Sequence, residues 1–409
     1  MSSSSLSPWQ LLQRFSGLHT PNYLPHRVNL VKGSGSLVED STGKEYIDLA
    51  GGIAVSALGH RHPALVDAAT QAAQSIWHLS NYWTNEPAMR LAQGLCDVTF
   101  AERVFFANSG AEANEAALKL ARKFARDTYG EGKHTVLACD NSFHGRTLFT
   151  SCVTGQAKYN LDFAPLPPGI DHIPFNDIAA LEQALDDSCC CLIVEPVQGE
   201  GGVIPIDPAF ARRARDLCTE HGALLIFDEI QSGMGRTGCL FAYQGLETVP
   251  DILTSAKALG CGLPIGAMLT TSRIAKHLTP GSHGSTCGGN PFVTRVAASA
   301  LSEISRPQLL AQVKQSGELA TTQLGGINHR LGCFRAIRQA GLLIGCELAP
   351  AWEKHGTAVI EQALNQGVMV LSAAGGKVVR LAPALNIPAE LLVEGLNRLE
   401  SALNLVRSL

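Results

Sequence analysis

The chain is predicted to be an α/β protein with a mostly parallel central sheet covered on both faces, plus a second, smaller α+β unit. Two observations predict this. From about 62 to 325, short apolar runs alternate with stretches of helical period, whereas after about 330 the pattern changes. The length, 409 residues, is too great for one small core and makes two domains the natural expectation.

Taken in order, residues 1–60 read as a lead-in arm, interrupted at Gly33-Ser-Gly35. Segment 36–48 resembles a hairpin turning at Ser41-Thr-Gly43. The strand candidates of the large domain, 61–325, are 103–107, 135–138, 191–194, 223–227 and 267–270. Between them, 112–125 and 209–221 carry apolar positions at helical spacing, and the second stops at Gly222. In the closing stretch, 326–409, segments 335–348 and 368–381 look like strands and 388–405 like a final helix. The arm and this tail are expected to form the smaller domain together.

Composition narrows the function. Hydrophobic residues make up 45% and charged residues 17%, as in an ordinary globular enzyme. A net charge of −4 without a basic block recommends neither nucleic acid nor an anionic membrane as partner. No apolar run approaches the length of a membrane span, and residues 1–9 have neither a basic nor an apolar region of a signal peptide, so a cytoplasmic location is expected. Twelve cysteines occur without a Cys-x-x-Cys; Cys189-Cys190-Cys191 runs straight into Leu192-Ile193-Val194, the look of a buried strand. Free thiols, and no metal, are expected.

The chemistry centres on Lys257, which lies in the mostly uncharged stretch Asp251-Ile-Leu-Thr-Ser-Ala-Lys-Ala-Leu-Gly260. An ammonium held in such surroundings either pairs with an anion or serves as an amine of lowered pKa. Asp228 ends the apolar run Leu224-Leu-Ile-Phe-Asp228. A lysine able to form a Schiff base and an acid able to hold a protonated pyridine nitrogen are the protein's side of pyridoxal phosphate chemistry. Other polar clusters also follow strand candidates, where ligands bind in open parallel sheets. Asn108-Ser-Gly-Ala-Glu-Ala-Asn-Glu115 opens a helix whose N-terminus favours a phosphate, although plain capping by Asn108 or Ser109 would read the same. In Asn141-Ser-Phe-His-Gly-Arg-Thr147, Phe143 is placed to lie on a ring and Arg146 to grip a carboxylate. A surface loop with one salt bridge is the alternative. Glu195-Pro-Val-Gln-Gly-Glu200-Gly-Gly follows another strand end and would also pass for a glycine loop.

Together these motifs, with Gly51-Gly-Ile-Ala-Val-Ser-Ala-Leu-Gly-His60, Phe227-Asp-Glu-Ile-Gln231 and His283-Gly-Ser-Thr-Cys-Gly-Gly-Asn-Pro291, resemble the class III (subgroup II) pyridoxal-phosphate aminotransferases. The match runs from Tyr23 to the final helix and is nearest to the acetylornithine and succinylornithine enzymes of arginine metabolism. It implies fold type I of the pyridoxal-phosphate-dependent transferases. It also implies that Lys257 holds the cofactor covalently and shuttles a proton, that Ser109, Gly110 and Ala111 meet the phosphate, and that Phe143 stacks on the ring. Asp228 would pair with the ring nitrogen and Gln231 reach the ring hydroxyl. Thr286, beside Ser285, would come from a second subunit, which makes a homodimer the smallest active unit. Arg146 and Tyr23 would hold the α-carboxylate of an acylated ornithine. Arg380 would take the second carboxylate of 2-oxoglutarate, with Glu200 neutralising it in the other half-reaction. Two residues depart from the pattern: Cys261 where relatives usually have glycine, and Cys287 where they usually have an aromatic.

Ornithine and 4-aminobutyrate aminotransferases are the rival readings. Ile53 stands where the ornithine enzymes carry an aromatic, whereas the 4-aminobutyrate enzymes tolerate isoleucine there. A non-catalytic sensor on the same fold would be expected to lose Lys257 or Asp228, and both are present.

Overall fold

The computed structural model describes residues 8–408. Its centre is a seven-stranded sheet of β1 (Arg103–Ala107), β2 (Thr135–Cys139), β3 (Ile170–Ile173), β4 (Cys189–Val194), β5 (Leu224–Asp228), β6 (Ile252–Ser255) and β7 (Gly266–Thr270), in the order β1-β7-β6-β5-β4-β2-β3. Pairings from β6 through β5, β4 and β2 to β3 are parallel. β7 alone runs the other way, antiparallel to both β6 and β1. The short link from Ser255 to Gly266 explains it: a parallel return needs a crossover of a dozen residues or more.

β4, β5, β6 and β7 are buried at every position, as expected of strands covered on both faces. Successive side chains serve opposite layers. Leu224 and Ile226 join Ala116, Leu120 and Phe124 of helix Gly110–Tyr129 on one face. Leu225 and Phe227 join Phe210 and Leu217 of helix Pro208–Glu220, and Val296 and Ala300 of helix Pro291–Ile304, on the other. Both predicted helices of the large domain are present, the first extended by two residues before and four after the expected span. β3 and β6 escaped the sequence reading. β3 carries Asp171 and His172 at a sheet edge, and β6 is only four residues long, with Thr254 and Ser255 at its end.

Beyond this core, Leu30–Ser34, Leu37–Asp40 and Glu45–Asp48 form an antiparallel sheet. The expected break at Gly33-Ser-Gly35 is the turn between the first two strands. Val368–Met369 joins the sheet parallel to Glu45–Asp48, so the two ends of the chain meet. A second small sheet has the order Phe334–Ala340, Leu343–Leu348, Val378–Leu381, Leu371–Ala373. The single strand read at 335–348 is therefore a hairpin, and 368–381 is three short strands interrupted by the turn Ala374–Gly376. Helix Ala389–Arg407 closes the chain, as the periodicity predicts. Among the described residues, no helix is long and apolar enough to cross a membrane, and no three His, Cys, Asp or Glu side chains cluster as a metal site.

Candidate active site

The carboxyl ends of β1, β2, β4, β5 and β6 converge on one cavity of about 440 Å³. Ser109, Gly110 and Ala111 line it after β1; Phe143, His144, Gly145 and Arg146 after β2; Glu195 after β4; Asp228 and Gln231 after β5; and Lys257 after β6. The sequence clusters that follow separate strands are thus brought to one place, as the strand-end rule requires. Ser109 caps the twenty-residue helix Gly110–Tyr129, its Oγ accepting from the Glu112 amide at 3.2 Å. The remaining free amides of that helix terminus meet the cavity with the positive end of the helix dipole.

Asp228 is 3% exposed, and a carboxylate so buried is costly unless its oxygens are hydrogen-bonded. Asn114 Nδ2 donates to Oδ2 at 2.7 Å, His144 Nδ1 lies 2.8 Å from the same oxygen, and the Ile230 amide donates to Oδ1 at 3.0 Å. Asn114 is fixed in turn by Thr254 Oγ1, which donates to its Oδ1 at 2.8 Å. His144 Nε2 is buried without a partner among the described residues. The tautomer with its proton on Nδ1 suits both nitrogens, because Nε2 then carries only a lone pair.

Lys257 sits at φ 45, a left-handed conformation that side chains rarely adopt. Cys261, next to the cavity-lining Gly262, and Asn141, two residues before the cavity-lining Phe143, share this feature. Such strain persists only where the surroundings impose it, and it gathers at functional sites. Burial lowers the Lys257 pKa below the usual lysine value, against the opposing charges of Asp228 and Glu200; Arg380 adds to the lowering. Glu195 is displaced the other way. Burial, with Asp228 nearby, raises its pKa well above the ordinary carboxyl value, although the Phe143 amide donates to Oε1 at 2.9 Å. Desolvation therefore favours the neutral forms of both amine and acid, a pairing found where proton transfer is carried out.

Arg146 is exposed at the cavity wall. Its guanidinium carbon lies 3.9 Å from the Tyr159 ring centre and 5.5 Å from that of Phe143, and no carboxylate among the described residues pairs with it. Arg380 is the opposite case. It is 2% exposed, behind Gln231, and donates from one nitrogen to Glu200 Oε1 at 2.5 Å and to Gln231 Oε1 at 3.2 Å.

Five expected site residues lie off this cavity: Glu200 and Arg380, behind Gln231, and Tyr23, Ser285 and Thr286. Tyr23 is 73% exposed and lines no part of the wall. Ser285 and Thr286 line a second cavity, of about 700 Å³, with Asn81, Tyr82 and His283. Ser285 still reaches the first site indirectly, because Asn108 Nδ2 donates to its Oγ at 3.1 Å. Conversely, the sequence reading gave no role to Asn114, His144, Glu195, Thr254 or Tyr159. The first four lie inside stretches that it quoted, but only packing shows which way they face. Tyr159 belongs to the short turn Ala157–Tyr159 and carries no local signal.

A model of the family described as aminotransferase class-III matches residues 19–403. The chain belongs to that family. Acetylornithine aminotransferase of Pseudomonas putida is 53% identical over 388 residues, 95% of each chain. Succinylornithine transaminase/acetylornithine aminotransferase of Pseudomonas aeruginosa is 55% identical over the same shares. Among solved structures, N-acetylornithine aminotransferase of Stenotrophomonas maltophilia superposes with a TM-score of 0.83 at 40% identity, over 94% of this chain and 97% of that one. Ornithine aminotransferase of Toxoplasma gondii gives 0.93 at 31% identity, over 99% and 97%.

Class-III aminotransferases depend on pyridoxal phosphate. The donor set of this enzyme fits that group, with helix-terminal amides, a flat aromatic, a buried carboxylate and a desolvated amine around one cavity. Gly110 leaves needed room, since a Cβ there would come within 2.7 Å of Ile230 Cδ1.

Proposed function

We propose that the enzyme transfers the distal amine of an N-acylated ornithine, N2-acetyl- or N2-succinylornithine, to 2-oxoglutarate, giving the acyl-glutamate semialdehyde and glutamate. Arg146 is the observation that carries this reading. Acylation removes the charge of the α-amine, so such a donor brings one α-carboxylate and one distal amine. Arg146 answers it: an exposed cation at the cavity wall, set against the Tyr159 and Phe143 rings and paired with no carboxylate among the described residues. The other arginine, Arg380, is covered by Glu200. The acceptor 2-oxoglutarate has two carboxylates and needs both arginines, hence a Glu200 that swings away. Relatives named for acetylornithine and succinylornithine, at 53% and 55% identity, support the same substrates.

When bound, pyridoxal phosphate supplies the electron sink through which an amine is exchanged for a carbonyl. Ser109, Gly110 and Ala111 would hold its phosphate, Phe143 its ring face, Asp228 its nitrogen and Gln231 its hydroxyl. Asn114 and His144 keep the Asp228 carboxylate aimed. Lys257, lowered in pKa by burial, removes the proton from the substrate carbon that bears the distal amine. Glu195, its pKa raised by burial, lies beside Lys257, and Arg146 sets how far the amine-bearing end extends.

A second copy of the chain completes this reading. Trp77, Tyr82 and Trp83 are 61%, 94% and 71% exposed beside the cavity lined by Ser285 and Thr286, the kind of aromatic surface that interfaces cover. In the homodimer, Thr286 of one copy would serve the other's phosphate site, and Tyr23 would close over the substrate. The pairing of Glu45–Asp48 with Val368–Met369 supports taking 1–60 and 326–409 as one smaller domain beside 61–325.

The test is a single turnover without any oxo acid, following loss of the visible absorbance of the bound cofactor. The enzyme is mixed separately with N-acetylornithine, N-succinylornithine, ornithine and 4-aminobutyrate. Fast loss with the acylated ornithines alone is the expected result; fast loss with ornithine or 4-aminobutyrate instead would overturn the substrate.

A further inference from the structure

Arg338, Gly345 and Arg380 stand opposite one another on three adjacent strands of the C-terminal sheet: Arg338 pairs with Gly345, and Gly345 with Arg380. Directly opposed residues of antiparallel strands share a face, and this face meets the turn 199–203, which carries Glu200. Arg380 takes the Glu200 side chain. Arg338 takes the turn's main chain, its Nε donating to Gly202 O at 3.0 Å while its Nη1 donates to Glu347 Oε2 at 2.5 Å. Gly345 between them lets the turn come close, since a Cβ there would lie 2.7 Å from Val203 Cβ and 2.8 Å from Gly202 O. The Ala374 amide holds Glu200 O at 2.9 Å from the neighbouring strand connection.

We infer that Arg338 is a positioning residue for the Glu200–Arg380 pair, and through it a determinant of the choice between substrates with one carboxylate and those with two. Two arginines grip one turn from one sheet face, but their bonds differ in kind. The bond from Arg380 joins side chain to side chain and breaks by rotation of Glu200. The bond from Arg338 goes to a carbonyl and is backed by a carboxylate, so it persists while Glu200 moves. With the main chain pinned, Glu200 covers and uncovers Arg380 by side-chain rotation alone. Without Arg338 the turn keeps the Ala374 amide on Glu200 O but loses its hold at Gly202, so that end drifts, Glu200 covers Arg380 less of the time, and dicarboxylates gain access. This inference rests on the proposed role of Arg380 as the site of a second carboxylate.

The experiment measures glutarate, an unreactive dicarboxylate, binding to the holoenzyme by calorimetry. Glu200→Ala removes the competitor for Arg380 and should tighten binding. Arg338→Met should tighten it in the same direction, by about five-fold, the worth of one hydrogen bond of about 1 kcal/mol. The double variant should bind no tighter than Glu200→Ala alone, because both changes act on the same pair. Glu347→Gln, a milder change that loosens Arg338 without deleting it, should tighten glutarate more weakly, and it stands in if Arg338→Met fails to fold. A merely structural arginine would lower the melting temperature and leave glutarate affinity alone, which overturns the inference, as would additive effects in the double variant. If Glu200→Ala itself leaves glutarate binding unchanged, the reading of Arg380 fails, and the inference falls with it.

Discussion

Asn114 joins two strands' worth of chemistry through one amide: its Nδ2 donates to Asp228 Oδ2 at 2.7 Å, and its Oδ1 accepts from Thr254 Oγ1 at 2.8 Å. The residue sits in the second turn of helix Gly110–Tyr129 and is fully buried, so the helix that offers its N-terminus to the cavity also orients the acid at the cavity floor. Asn114→Ala leaves Asp228 one donor short and Thr254 without its acceptor. Loss of a supporting hydrogen bond of this kind is worth about 1–3 kcal/mol. Cofactor affinity of the apoenzyme, measured by fluorescence titration with pyridoxal phosphate, should weaken about ten-fold or more. Thr254→Val should weaken it less. Unaltered affinity in Asn114→Ala would remove this residue from the support of Asp228.

Lys257→Ala should abolish turnover while the fold survives. The ammonium is held where burial lowers its pKa, so its removal relieves a desolvation cost rather than a stabilising contact. The expected pattern is a melting temperature near that of the wild type with turnover down by about 10⁴-fold, the upper range for a proton-transferring group. Near-normal turnover in this variant would sink the assignment of the site.

The parts of this site that were legible in the sequence are those whose side chains follow a strand end within a few residues. Lys257, Asp228 and the stretch opening at Ser109 all stand at such points, and parallel-sheet geometry turns sequence position into spatial position. Tyr159 was invisible for the converse reason: it reaches Arg146 from a short irregular turn whose place is set by tertiary packing. β7 shows the same limit in the fold. Its apolar pattern marks it as a strand, but only its short connection to β6 makes it antiparallel. The clamp by Arg338 depends on register across three strands, which no local pattern encodes.

Arg146→Ala should raise the KM for the acylated donor by about ten- to a hundred-fold, the worth of a charge-assisted hydrogen bond to a carboxylate, with a smaller change in kcat. Arg146→Lys should recover only part of the loss, since a point charge cannot reproduce a planar two-point grip. Tyr159→Leu removes the ring 3.9 Å from the guanidinium carbon but not the charge, and should raise KM only a few-fold, as expected for a cation–π contact of about 1 kcal/mol. Steady-state kinetics with the donor varied at saturating 2-oxoglutarate gives all three values. An unchanged KM in Arg146→Ala would take this residue out of the carboxylate pocket.

Glu229 makes stability depend on pH in a direction opposite to that of most paired carboxylates. Burial pushes its carboxyl up to about 7 from the ordinary 4.5, against the pull of the Tyr243 and Ala242 amides, which donate to it at 2.8 and 2.7 Å. Below about pH 4.5 the group is protonated folded and unfolded alike. Between 4.5 and about 7 the unfolded chain releases its proton and the folded chain does not, so stability falls as pH rises, and above about 7 the loss is complete. The shift corresponds to a fall on the order of 3 kcal/mol. Glu195, also raised by burial, adds to the slope with the same sign. Urea denaturation of the apoenzyme from pH 5 to pH 8 should therefore show a shallower decline in Glu229→Gln than in the wild type. Gln keeps one oxygen for these amides, so the variant is also expected to start lower at pH 5. Parallel curves for the two proteins would mean that Glu229 is ionised throughout and that its two amide donors outweigh its burial.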